Sequence, residues 1–161
     1  MTHRHTRLCL VQIGILTLCG LLCAPARGAS ITGSCTASAT GVSFGTYNLL
    51  SATPLESTGT VTVNCSAATV KGTNSVTVSL SAGQSGSFTA RRLGTGFTYN
   101  LYQNAAFTEI WGDGTGNSTL YTGSITKKLP SFTATVYGQI PALQNPAPGS
   151  FTDTITVTVD Y

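Results

Sequence analysis

Apolar and hydroxyl-bearing residues alternate one by one through much of this chain, and a period of two leaves little room for any architecture but β-sheet. The clearest case is FTDTITVTVDY, residues 151–161. There Ile155, Val157, Val159 and Tyr161 alternate with Thr154, Thr156, Thr158 and Asp160. β-Branched residues on both faces favour the extended backbone. Tyr161 still belongs to the apolar face, so this run is expected to lie against a neighbour that covers it.

The same pattern recurs upstream. GTVTVNCSA places Val61, Val63 and Cys65 on one face, and NSVTVSLSAG does so with Val76, Val78 and Leu80. GFTYNLYQN groups Phe97, Tyr99 and Leu101, and TATVYGQIPA groups Ala134, Val136 and Ile140. Gly138 interrupts the last run and marks a bulge or a close approach. SAGQSGS, WGDGTGNS and QNPAPGS carry turn chemistry between the runs. No stretch has a capped helical period, although QNAAFTEIWG has room for a single helical turn. Six or seven short strands with uneven connections predict an all-β, antiparallel Greek-key sandwich of immunoglobulin type. No internal repeat and no linker divides it.

The first residues read differently. Basic MTHRHTR, then LCLVQIGILTLCGLLC, then small-residue APARGAS have the order of a secretory signal peptide, shorter than a membrane span requires. Residues 1–28 are therefore expected to be removed after Gly28, leaving residues 29–161 as the working domain. Lipidation is not expected, because Cys23 follows Leu22 rather than a small residue.

Removal changes the chemistry. Both histidines, His3 and His5, leave with the signal, as do Cys9, Cys19 and Cys23. The remaining Cys35 and Cys65 form an even pair in an exported chain, the arithmetic of one disulfide. Cations Lys71, Arg91, Arg92, Lys127 and Lys128 balance Glu56, Glu109, Asp113, Asp153 and Asp160. A neutral chain with scattered cations has no electrostatic footprint for nucleic acid. Low charge and abundant Thr, Ser and Gly suggest disorder, but six Phe, six Tyr and the alternating valines oppose it.

Catalytic readings fare poorly. Without histidine a histidine-based triad is impossible, and paired cysteines remove zinc sites of the Cys/His type. Lys127 and Lys128 in SITKKLPS are expected in an exposed loop. FTEIWGDGTGNST sets Glu109 and Asp113 as an acid/base pair beside Trp111, a sugar-stacking platform. The same stretch offers Asp113, Thr115 and Asn117 to calcium, but the calcium-loop pattern is not met. A tight turn is the simpler expectation, with Asp113 capping its own backbone. Arg91 and Arg92 are expected as solvated charge at a strand end, the alternative being contact with an acidic partner or a glycan carboxylate. Trp111 and Tyr102 are expected to pack in the core or on a sheet face. The chain is expected to be no enzyme and to need no cofactor or metal.

Five stretches, in this order, are similar to the spore coat protein U domain family, whose members include secreted subunits of archaic chaperone–usher pili. They are CTASATGVSFGTYN, STGTVTVNC, YNLYQNAAFTEIWGDGTG, VYGQIPALQ and PGSFTDTITVTVDY, together spanning Cys35 to Tyr161. The resemblance implies a sandwich lacking its last strand, which another polypeptide supplies. A periplasmic chaperone would fill the vacancy first and a neighbouring pilus subunit later, with an outer-membrane usher assembling the fibre. Ile155, Val157, Val159 and Tyr161 would then line one wall of the acceptor groove. It also implies export through the periplasm to the cell surface and a role in adhesion or biofilm formation. Only ASITGS separates the expected cleavage site from Cys35, with Ile31 its sole large apolar residue. Such a chain is expected to accept a strand without donating one, or to be a secreted member outside any fibre. A self-contained coat or matrix protein is the alternative function, and a carbohydrate-binding module using Trp111 and the tyrosines is a third.

Overall fold

The computed structural model describes residues 28–161, so the expected signal peptide, save Gly28, lies outside the described residues. Ten strands run in chain order. They begin with β1 (Ser30–Thr32), β2 (Thr36–Thr40), β3 (Leu55–Asn64), β4 (Thr69–Lys71) and β5 (Thr73–Leu80). β6 (Arg91–Arg92), β7 (Thr98–Tyr102), β8 (Tyr121–Thr126), β9 (Ser131–Ile140) and β10 (Val157–Asp160) follow. Seven have four residues or more, as the alternation predicts; β1, β4 and β6 are shorter additions whose two or three residues carry no readable period.

Every pairing between these strands is antiparallel. A five-stranded sheet runs β2–β3–β9–β7–β6, a three-stranded sheet β10–β5–β8, and β1 pairs with β4 alone. The two larger sheets form the sandwich. Its spine is β3 against β9, in register from Leu55↔Ile140 to Asn64↔Ser131. The inward residues close the core: Val61 and Val63 of β3, Val76 and Val78 of β5, and Ala134 and Val136 of β9 are all buried. Burying each valine stabilises the fold by about 1.5–3 kcal/mol. Outward, hydroxyls pair across the ladder, with Thr62 Oγ1 and Thr133 Oγ1 2.8 Å apart.

Gly138 is a close approach and no bulge, because the register runs through it to Ser57 and Leu101. A Cβ there would stand 2.6 Å from Val42 Cγ1 and 2.8 Å from Phe44 Cζ. The missing side chain admits the segment after β2 between the sheets.

Cys35 and Cys65 are bonded, joining the start of β2 to the end of β3. Trp111 is wholly buried; its indole Nε1 donates to Val78 O at 2.9 Å and its ring stacks on Tyr121 at 5.0 Å. QNAAFTEIWG forms a turn rather than a helix, with Thr108 N donating to Asn104 Oδ1. Asp113 makes the expected turn, accepting from Thr115 N and Thr115 Oγ1 at 2.9 and 2.6 Å. Those hydrogen bonds hold its carboxyl below the usual carboxylate range. Lys127 and Lys128 are exposed.

Arg91 corrects the expectation of solvated charge. It is fully buried, and its guanidinium donates to Ser81 O, Trp111 O and Asn100 Oδ1, the last two at 2.7 and 2.6 Å. Five donors in a fixed fork suit this carbonyl-lined position, where one side chain ties three segments together. Burial lowers its pKa from the ordinary value, against which Tyr99 and Asp153 act. Arg92 stays exposed, as expected.

Candidate functional site

Of the four edge strands of the sandwich, β2 and β10 face each other across a cleft, while β6 and β8 form the opposite edges. β10 ends the three-stranded sheet, pairing with β5 from Val157↔Leu80 to Asp160↔Thr77. β2 ends the five-stranded sheet, pairing with β3 from Thr36↔Asn64 to Thr40↔Thr60. Unpaired N–H and C=O groups on such edges form a template for another strand.

All five residues of β2 are exposed, Ala37 and Ala39 included. The reason is the missing neighbour: β3 covers one side of the strand, and the other opens on the cleft. A cavity of about 280 Å³ lies there. Ala39 and Val42 line it from the β2 side, Ile155 and Val157 from the terminal segment, and Val61 and Val136 from between. Phe44 also reaches in and meets Tyr99 edge-on, ring centres 6.1 Å apart. Gly59 keeps this side clear, since a Cβ there would meet Thr40 O at 2.5 Å.

Of the residues singled out for a groove wall, Ile155 and Val157 line the cavity. Ile155 precedes the paired strand, held by Ser81 N donating to Thr156 O and Thr156 N donating to Ser81 Oγ, both at 2.9 Å. Val159 is half-buried and packs against the core. Tyr161 is 52% exposed, and its hydroxyl accepts from Cys35 N at 3.1 Å, bridging the two edges at one end of the cleft.

The other end is polar. Asp153 lines the cavity and accepts from Tyr99 Oη at 2.8 Å and from Gln84 N at 2.9 Å. Burial, reinforced by that carboxylate, pushes the Tyr99 phenol well above its ordinary pKa. Sequence reasoning did not single out Val42, Phe44 or Asp153 for the site. The alternation in GVSF and the continuation of the terminal period back to Asp153 were the available signals.

Among the described residues, no three His, Cys, Asp or Glu side chains come together in a way that could hold a metal ion. Nor is any described helix long and apolar enough to cross a membrane. What the cleft offers is an apolar trough flanked by two free backbone edges.

No curated protein matches the chain. Among solved structures, it is similar to a chain in the CsuC–CsuE chaperone–tip adhesion subunit pre-assembly complex from archaic chaperone–usher Csu pili of Acinetobacter baumannii. The likeness has a TM-score of 0.51 at 23% identity, and it covers 80% of this chain but only 39% of that one. It supports the sandwich fold. The Spore Coat Protein U domain model matches residues 22–158, most of the sequence, and the chain belongs to that family.

Proposed function

We propose that this protein is a non-enzymatic subunit of an archaic chaperone–usher surface fibre, which accepts a β-strand from another polypeptide into the cleft between β2 and β10. The observation that carries this reading is the exposed apolar face of β2 opposite the half-covered terminal segment. An added strand would hydrogen-bond along a free edge while its alternate side chains enter the trough, the mode called β-augmentation. The family and the likeness to a chaperone–subunit assembly support the same reading. A periplasmic chaperone is then the first occupant and a neighbouring subunit the second, with an usher between the two stages. Export to the cell surface and a part in adhesion or biofilm formation follow from that role.

A specific observation bears on the donor side. Ser30–Thr32, ahead of Cys35, pairs with Thr69–Lys71 of the same chain, Ile31 opposite Val70. Residues spent in this way are not free to fill a neighbour, which favours an acceptor that does not donate this segment.

Co-expression with the chaperone of such a system should give a stable complex that survives gel filtration. Val157→Asp, in the cleft, should abolish it, whereas Leu129→Asp, at a position already 67% exposed, should leave it intact. A chain that stays monomeric beside the chaperone, and melts cooperatively and identically with or without it, would show the sandwich to be self-contained.

A further inference from the structure

The cleft is apolar along most of its length, but one end carries a carboxylate. Asp153, Ile155 and Val157 follow one another at a period of two along the terminal segment, and all three line the cavity. A strand laid in the cleft therefore meets apolar side chains first and Asp153 at the end of the row. The carboxylate is held in place. Its Oδ2 accepts from Tyr99 Oη, its Oδ1 accepts from Gln84 N and Thr154 N, and Gly83 backs it so closely that any Cβ there would collide with it.

Covering this end of the trough removes water from a fixed negative charge. That is costly when no opposite charge accompanies the cover, and much less so when one does. Resting on the strand-accepting role proposed above, we infer that the strand taken into this cleft carries a Lys or Arg at the inward position facing Asp153, after a run of alternating apolar residues. The apolar positions supply affinity. The cation sets register and discriminates between donors, because a slip by two residues in one direction would place an aliphatic side chain on the carboxylate, and in the other would place the cation beside Ile155.

The test uses the full exported chain refolded with synthetic strands of about ten residues, within the usual strand range. All share one alternating Val/Thr sequence and differ only at the terminal inward position: lysine, norleucine or glutamate. Binding is read from the shift in melting temperature and from titration at low and high salt. The lysine strand should bind about tenfold more tightly than norleucine, a difference of about 1.4 kcal/mol. Glutamate should be weakest, and the lysine advantage should shrink with salt. Asp153→Asn keeps the side chain's shape and should erase the lysine preference while norleucine binding holds. Equal binding of lysine and norleucine strands to the wild-type chain would overturn the inference and leave strand acceptance standing. Failure of every strand to bind would overturn both.

Discussion

β3 and β10 are written in nearly the same alphabet, valine alternating with threonine, yet they lead different lives in the sandwich. β3 lies between β2 and β9, and its Val61 and Val63 are 2% and 0% exposed. β10 has β5 on one side and the cleft on the other, and its Val157 and Val159 are only half-buried. Period two decides which face a residue joins; the second neighbour decides how deeply that face is buried. The difference locates unfinished work at the edges rather than in the middle of the sheet.

The largest expected break in this comparison comes from the disulfide. Cys35→Ser should cost about 3–4 kcal/mol, the chain-entropy value for a 30-residue separation. Amide exchange should quicken first in Thr36–Thr40, on the open side, while β3 remains protected against β9. Uniform exchange across both strands would mean that the bond supports the whole sandwich equally.

Paired truncations probe the contrast directly. Val63→Ala removes fully buried methyls and should cost about 2 kcal/mol, and Val157→Ala about 1 kcal/mol, both read from denaturant melts of the chain alone. In complex with a strand donor the two values should converge, because the donor covers Val157 in the cleft. An unchanged gap in the complex would count against a partner seated beside β10.

Tyr99 gives the smallest effect, at the polar end of the cleft. Its phenol pKa is raised in the folded chain, so its stabilising part is full below the unfolded value of about 10 and is lost as the pH rises beyond it. The melting temperature should therefore fall above about pH 10 more steeply for the natural chain than for Tyr99→Phe. At neutral pH the substitution should cost about 1 kcal/mol through the lost bond to Asp153. Identical alkaline profiles would show that the phenol does not ionise across the unfolding transition.

The sandwich could be read from the sequence because its inward residues are set by local alternation. Tyr99, Leu101, Ala134, Val136 and Ile140 all lie where the period puts them, and all are buried. The two cysteines were legible from their even number once residues 1–28 are read as a signal peptide. Arg91 was not legible. Its acceptors at Ser81, Asn100 and Trp111 are brought together only by the folded chain, and no local pattern separates it from exposed Arg92. The cleft was half legible: the terminal run announced one wall, whereas the other depends on Gly59 and Gly138 admitting Val42 and Phe44 between the sheets. GVSF alternates, but the glycines that admit it lie far along the chain, and no local pattern links them to it.

The position of the sulfur bridge has a mechanical consequence. Cys35 and Cys65 stand at the same end of the β2–β3 pair, so a load entering ahead of Cys35 passes straight across to Cys65. The 30-residue span between them, about 100 Å of chain at roughly 3.5 Å per residue, is shielded from that pull. Stretched from its two termini, the oxidised molecule should lengthen by that much less than the reduced one, and β2 should stay seated beside the open trough while tension is carried past it.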